Sequence, residues 1–306
     1  MKKNVIYTLD KFKEDYEWRY ESYLLPKLME FEYKRWLTIF KFILVCLFII
    51  VPGIWFRQHI WIAILVLINA AHYNSAYKII AEDIPHELHN LLPDFIYDEL
   101  SAINIDETHN AKLFPSFVNK RGLACTNFLD SYWGNISGVH LSITNYDYSL
   151  LYKNSSLSLF KGFIIKYVID TEIDGQIVIR PNTKGSDIAD LISKGYTQYL
   201  EVSSAFRKKY FIFTNNPSEA KRILSVQFLV FFDNFSKAMG DNIYCSICNN
   251  NIYVATTKGK QFVDFSDITK SVLKRKHYDY FYNVFTNIIN LTNGIRSEKK
   301  LCSINV

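Results

Sequence analysis

The sequence predicts a mixed α+β protein, with helical segments at both ends of a mixed or antiparallel sheet domain with packed helices. Three observations predict this class. The N-terminal part carries helical and apolar patterns, the chain changes at about residue 112 to short runs rich in β-branched and aromatic residues, and a helical stripe returns near the C-terminus. The 306 residues are 49% hydrophobic with a net charge of +5, which excludes a disordered chain.

The N-terminal segment, residues 1–35, is predicted to be an amphipathic helix. An apolar and aromatic stripe lies on one helical face over residues 8–24, formed by Leu9, Phe12, Tyr16, Tyr20 and Tyr23. Such a face can lie on a membrane, pair with another helix or pack on the protein's own domain. The segment has no apolar core typical of a cleaved signal peptide.

Residues 36–80 are predicted to form a hairpin of two transmembrane helices, with a buried core hairpin or a re-entrant loop as the alternatives. The first span, Trp36 to Phe56, has 21 residues and would be roughly 31 Å long, which matches a hydrocarbon core of about 30 Å. The second span, from Ile60 to about Ala76, is the weaker one because it contains polar residues. The predicted apex contains Pro52–Gly53 and Arg57–His59.

Five residues are predicted to lie at the membrane interface, namely Trp36, Lys41, Trp55, Arg57 and Trp61. Lys34, Arg35, Lys41 and Lys78 flank the outer ends of the two spans, so the positive-inside rule predicts that both termini are cytoplasmic. The five cysteines are scattered and odd in number, which is typical of a reduced compartment.

Residues 81–111 are predicted to be a helical connector, residues 112–294 a cytoplasmic α+β domain, and residues 295–306 a tail. The expected strands are Gly134–Ile143, Leu157–Asp170, Gly175–Arg180, residues 199–204 and Lys208–Asn215. Asp174–Gly175 is expected to form a hairpin turn, and residues 242–257 a hairpin about an Asn-rich turn. One helix is expected from Asn216 to Gly240, and its apolar middle, Ile223 to Phe235, predicts a buried core helix rather than a third membrane span. Another helix is expected from Ser266 to Asn293 with Gly294 at its end.

The candidate chemical motifs are weak. Cys245 and Cys248 form a C-x-x-C, but in a strand they would face opposite sides. Asp170, Glu172 and Asp174 begin like a calcium loop, yet Pro181 stands where a bidentate glutamate is required. His86, Glu87 and His89 miss the H-E-x-x-H spacing by one residue, and no phosphate-binding loop or nucleophile elbow is present. The sequence therefore predicts no catalytic residue, metal site or cofactor.

Two basic triplets, Arg207–Lys209 and Lys274–Lys276, lie beside aromatic residues. In a domain tethered to a bilayer, such triplets are expected to contact anionic lipid. One alternative is that the triplets are ordinary solvated surface. Another is that they bind nucleic acid, which the low net charge does not favour.

Several short segments occur in an order that matches a known bacterial family: Leu113–Phe114, Gly134–Ile143, Leu159–Phe163, Leu200–Glu201 with Phe206, Tyr210–Phe211, Ser218–Leu224 and Asn251–Ala255. Over about Leu113 to Phe265 the chain resembles the DUF3137 family of bacterial membrane proteins of unknown function. The resemblance implies an inner-membrane protein with two spans before the domain, and it suggests a LemA-type membrane protein as a partner. It implies no catalytic residues.

The leading functional hypothesis is a membrane-anchored cytoplasmic binding or adaptor module, whose partners are the lipid bilayer and a protein. One alternative is a membrane-bound enzyme of unrecognised type that uses Asp130, His140 or Glu201. Another is a homo-oligomeric pore or effector, in which Asn69, His72 and Asn74 face a symmetry axis.

Overall fold

The computed structural model describes residues 9–56, 70–71, 73–84, 86–88, 91, 100–102, 123–136, 138–152, 155–183, 187–240, 243–256 and 271–297. The helices in these residues are α1 (Leu9–Arg19), α2 (Leu25–Phe56), α3 (Asp187–Ser193), α4 (Ser204–Lys209), α5 (Pro217–Ile223), α6 (Val226–Met239) and α7 (Arg275–Ser297). Two π-helical turns, Tyr20–Leu24 and Ile79–Asp83, complete the helical part.

Nine strands of the described residues form one sheet. They are β1 (Leu100–Ala102), β2 (Leu123–Ile136), β3 (Val139–Tyr152), β4 (Ser155–Val168), β5 (Gln176–Pro181), β6 (Thr197–Gln198), β7 (Tyr210–Thr214), β8 (Ile243–Cys248) and β9 (Asn251–Thr256). Their spatial order is β1-β2-β3-β4-β9-β8-β5-β7-β6, and all neighbours are antiparallel. The predicted α+β class is confirmed, and of the two sheet types the antiparallel one is present.

The main core lies between one face of the sheet and the long helices. Alternate residues of the strands, such as Ile177 and Ile179 of β5, point into it together with buried residues of α6 and α7. The opposite face has a small cluster of Val178, Leu191 and Phe213, where α3 covers β5 and β7. The strands alternate between the two clusters because successive side chains point to opposite faces.

The N-terminal helices belong to the same core. Tyr16, Tyr20, Leu24 and Leu28 are buried within the main cluster. The Tyr16 hydroxyl donates to Asp279 of α7 at 3.0 Å, and its ring lies 4.1 Å from that of Tyr282. Of the three predicted roles for the aromatic stripe, the structure supports packing on the protein's own domain.

Two turn and cap predictions are confirmed. Asn249 and Asn250 have positive φ values, 49° and 59°, and join β8 to β9 in the Asn-rich hairpin. Asn216 accepts a hydrogen bond from the Glu219 N–H at 3.2 Å and caps α5, and Gly240 ends α6 in the left-handed conformation.

Three strand predictions need correction. Gly134–Ile143 is the β2–β3 hairpin rather than one strand, because Gly138 has φ +85° and its N–H donates to the Asn135 side chain. Asp174–Gly175 is not a hairpin turn, since β9 and β8 lie between β4 and β5 in the sheet. Residues 199–204 do not form a strand; the strand is the two-residue β6 that precedes them.

Two helix predictions also need correction. The helix expected from Asn216 to Gly240 is broken at Leu224, whose ψ is 75°, and Ser225 then caps α6 by accepting from the Phe228 N–H at 2.9 Å. Gly294 does not end the last helix, because α7 continues to Ser297. A Cβ at Gly294 would lie 2.5 Å from the Phe231 ring, so this glycine allows α6 and α7 to pack closely.

The predicted membrane hairpin is not supported by the described residues, since none of their helices is both long and apolar enough to cross a membrane. α2 continues through Pro52 and Gly53 to Phe56 rather than turning there. Residues 57–69, which include Arg57–His59 of the predicted apex and most of the second span, lie outside the described residues.

Candidate functional site

An open groove lies on the helical face of the domain, between α4 and α6. We call it the α4–α6 groove. Its volume is about 500 Å³. The apolar part is lined by Leu200, Val202, Ala205, Phe206, Leu224, Val226, Leu229 and Val230, and the polar part by Glu201, Ser203, Lys209, Asp233, Asn234 and Lys237.

Local caps and one aromatic cluster set the walls of the groove. Ser203 accepts from the Phe206 N–H at 3.2 Å and caps the start of α4. Phe206 then packs on Tyr210 and Phe232, with ring centroids 5.0 and 6.3 Å away. These contacts hold α4 against the middle of α6, and the break at Leu224 opens the space between the helices.

Aliphatic side chains are exposed in the groove, so α6 is not buried on all sides. Val226 is 81% exposed, Leu200 55% and Val230 51%, whereas Phe228 and Phe232 on the inner face of α6 are buried. The prediction that α6 is a buried core helix is therefore correct for one face only. Exposed aliphatic residues that adjoin one another indicate a site that another molecule covers.

Ion pairs frame the groove at both ends. Asp233 binds Lys209 of α4 at 2.6 Å and Lys237 at 2.7 Å, and Glu201 binds Lys221 at 3.1 Å at the other end. Partial burial by itself raises the pKa of Asp233, but hydrogen bonds from the two lysines outweigh it, so this pKa lies below its usual value. One carboxylate faces two ammonium groups, which leaves one positive charge in excess at the Asp233 end.

A second feature is the base of α2, where it meets α7. Glu32 and Arg35 form a buried ion pair at 2.6 Å, and Glu32 also accepts from the Val272 N–H at 3.1 Å. Burial raises the pKa of Glu32, but hydrogen bonds from Arg35 and Val272 outweigh this and lower it overall. The contact fixes α2 to the start of α7.

Beyond this base, α2 exposes large apolar side chains. Trp36 is 58% and Phe48 75% exposed, and Leu37, Phe40, Ile43, Leu44 and Leu47 are exposed between them. Of the residues predicted to lie at the membrane interface, Trp36 and Lys41 are both exposed on α2. Trp55 lies in α2 with its side chain outside the described part, and Arg57 and Trp61 lie outside it entirely.

The two basic triplets predicted to contact lipid differ in their surroundings. Arg207 and Lys208 are exposed on α4 and do not line the groove, whereas Lys209 lines it and is paired with Asp233. Lys274 and Lys276 are exposed at the start of α7. Arg275 between them binds Glu17 at 2.6 Å and Asp279 at 3.3 Å, and lies 5.0 Å from the Tyr20 ring, so it serves the contact between α1 and α7.

Of the residues of the predicted enzyme alternative, the structure places His140 and Glu201 far apart. His140 is exposed in β3, and Glu201 follows β6 and pairs with Lys221. Six strand spacings separate β3 from β6 in the sheet order, which corresponds to roughly 29 Å at about 4.8 Å each. The Asp130 side chain lies outside the described residues.

The pore alternative depends on three residues, of which two lie outside the described part of the chain. Asn69 and His72 lie outside it, and Asn74 is exposed on the helix of residues 73–78.

The candidate metal ligands do not form a site in the part of the chain that the structure describes, where no group of three or more His, Cys, Asp or Glu could hold an ion. Cys245 lies in the main core and Cys248 near Tyr196 on the other face of the sheet, as predicted for a strand. Burial raises the pKa of both thiols. Glu87 binds Lys34 at 3.2 Å, and His89 lies outside the described residues.

Sequence reasoning missed the α4–α6 groove. A usable signal was present, because Val226 and Val230 are four residues apart on the face of α6 that also carries Asp233 and Lys237. An apolar pair that continues into charged residues on one helical face is not a pattern of complete burial. The middle of this helix is apolar nearly all round, and that pattern by itself indicates burial on every side.

The described residues thus form a mixed α+β protein with an open groove on its helical face and an exposed apolar surface along α2. Over residues 158–296 the chain matches the model of a family described as "Protein of unknown function (DUF3137)". The resemblance to this family is thereby confirmed, over residues that begin and end later than those predicted.

Other known proteins add little to this resemblance. No curated protein matches the chain. One similar solved structure is the crystal structure of the mycobacterial trehalose monomycolate transport factor A, TtfA. It is 10% identical, and the match covers 55% of this chain and 73% of that chain with a TM-score of 0.31. At this identity and TM-score the likeness establishes neither a shared fold nor a shared function.

Proposed function

We propose that this chain is a membrane-anchored binding module. In this proposal α2 attaches the α+β domain to the bacterial inner membrane, and the α4–α6 groove binds a ligand on the cytoplasmic side. The observation that carries the proposal is the run of large apolar side chains exposed along α2 between Trp36 and Phe48. A bilayer would remove this surface from water, which stabilises by about 25 cal/mol per Å².

Two contacts support the hairpin as part of this proposal. The Phe42 ring lies 6.0 Å from that of Tyr73, and Lys34 binds Glu87 at 3.2 Å. Phe42 comes after Lys34 in α2. Their partners occur in the reverse order, since Tyr73 comes before Glu87, so the two helical segments run in opposite directions. Tyr73 and Tyr77 are exposed and stack at 6.2 Å, which suits a membrane interface.

The buried Glu32–Arg35 pair supports a rigid connection between anchor and domain. Arg35 directly precedes Trp36, and Glu32 accepts from the backbone N–H of Val272 just before α7, which packs on α6. The groove would therefore be held in a constant position relative to the bilayer. Tethering raises the effective concentration of the groove for ligands and protein partners in the same membrane, a LemA-type protein among them.

Alkaline carbonate extraction tests the anchor. Membranes from cells that produce the full chain should retain it in the pellet after the wash. The double substitution Phe40→Asp and Leu47→Asp should move most of it to the supernatant, because two buried charges cost several kcal/mol in a hydrocarbon core.

A matched control replaces two exposed apolar residues outside both α2 and the groove, Val168→Asp and Ile192→Asp, and should stay in the pellet. Release of the unaltered chain by carbonate would contradict the anchor.

A further inference from the structure

We propose that the α4–α6 groove binds a single-chain anionic amphiphile, such as a free fatty acid. Its acyl chain would lie along the apolar part of the groove, and its head group would meet Lys209 and Lys237. The inference rests on the proposed function in one respect, because an anchored domain lies next to the bilayer that supplies such molecules.

The order of residues along α6 matches the two parts of an amphiphile. Val226, Leu229 and Val230 line the first half of the groove, and Asp233 and Lys237 line the second half. All five lie on one face of the helix, since they are three, four, seven and eleven residues from Val226. The groove thus changes along its length from aliphatic to charged.

The charge at the polar end complements an anion. Lys209 and Lys237 share the single carboxylate of Asp233. Because each ammonium group has three N–H donors, donors remain for the oxygens of a ligand's head group. Arg207 and Lys208 are exposed on the adjoining helix α4 and add to the positive field. A carboxylate or phosphate head group would balance this excess, whereas a cationic head group would be repelled.

The size of the groove favours one acyl chain over a protein surface. Its volume of about 500 Å³ lies within the range of about 300 to 1,000 Å³ that is usual for small-ligand sites. A protein partner would need a contact of about 800 Å² on its own side. The groove is also the place where Leu200, Val226 and Val230 are exposed together, and an acyl chain would cover them.

Photolabelling provides the test. The full chain is placed in nanodiscs of neutral phosphatidylcholine and exposed to a palmitic acid analogue that carries a diazirine on its chain. The labelled peptides are then mapped by mass spectrometry. We expect label in α6 and in the Leu200–Phe206 segment, and we expect unlabelled palmitate to displace it but hexadecylamine not to do so.

Two variants and two matched controls define the site. Val230→Glu should lower labelling of the groove by at least about tenfold, because it places a charge in the path of the chain. Lys209→Gln with Lys237→Gln should weaken it about fivefold, as expected for partly exposed charges. Val168→Glu and Lys194→Gln, which alter exposed residues outside the groove, should leave it unchanged.

The outcomes separate the two proposals. Label in α2 but not in the groove would overturn the amphiphile site and leave the anchor standing. Label in the groove but not in α2 would support the site and count against the anchor. A dimer in which the groove is blocked by a second copy, or groove label that hexadecylamine displaces equally well, would also overturn the amphiphile proposal.

Discussion

Glu32 and Arg35 show how one residue pair connects the N-terminal helices to the domain. Each side chain is nearly inaccessible, and each depends on the other, since a buried charge without its partner is costly. Glu32 also accepts from the Val272 N–H at 3.1 Å. The pair therefore contributes to stability only while Glu32 is ionised.

The pH dependence follows from the lowered pKa of Glu32. Its pKa in the folded protein is below the ordinary value of 4.5. The stability it contributes is therefore present above about pH 4.5 and is lost as the pH falls through the folded pKa. The free energy of unfolding, from urea titrations between pH 3 and 7, should decrease in this acidic range.

Substitutions distinguish the pair from general acid sensitivity. Glu32→Gln should destabilise by about 3–5 kcal/mol at pH 7, because Arg35 is left buried without a carboxylate. Glu32→Gln combined with Arg35→Met should recover part of this loss and should show a weaker decrease between pH 5 and 3. A double variant that is less stable than the single one would refute this explanation.

At the scale of elements, the contact between α6 and α7 depends on the absence of a side chain. Gly294 lies inside α7, where glycine normally costs about 1 kcal/mol relative to alanine. The Phe231 ring occupies the space that a Cβ would need. Close approach of the two helices thus outweighs helix propensity at this position.

Gly294→Ala should therefore destabilise the protein, by about 1–3 kcal/mol, although alanine favours a helix. Asn290→Ala, at an exposed position of the same helix, should be neutral or slightly stabilising. Urea denaturation measures both. In a Phe231→Ala background the cost of Gly294→Ala should largely disappear, and persistence of the full cost there would show that the ring is not the cause.

At the scale of the whole molecule, the N-terminal helices complete the core of the sheet domain. Tyr16, Tyr20, Leu24, Leu28 and Phe31 belong to the same buried cluster as α6 and α7. Burial of each such side chain is worth about 1.5–3 kcal/mol. A fragment that begins after the predicted membrane hairpin lacks these residues. The face of α7 that they cover would then be exposed to water.

The fragment of residues 85–306 should accordingly aggregate or unfold at much lower urea concentration than the full chain, as pulse proteolysis would measure. Leu24→Ala in the full chain should cost about 2–5 kcal/mol. Tyr23→Ala, at the partly exposed neighbouring position, should have little effect. A stable, monomeric 85–306 fragment would show that the N-terminal helices are dispensable for the fold.

Features that depend on nearest neighbours could be predicted from the sequence. The Asn216 cap, the Asn249–Asn250 turn and the α+β class are all present, because caps, turns and hydrophobic periods act over a few residues. The cysteines of β8 face opposite sides for the same reason. The resemblance to the DUF3137 family also depends on local segments in a fixed order.

What tertiary structure alone decided is which elements meet. The insertion of the β8–β9 hairpin between β4 and β5 turned a predicted hairpin turn into a crossover, because strand pairing depends on the whole sheet. Gly294 could not be recognised as a packing residue without Phe231 beside it. The α4–α6 groove exists because α5 and α6 separate at Leu224 and α4 packs against α6 through Phe206, contacts between residues that are distant in the chain.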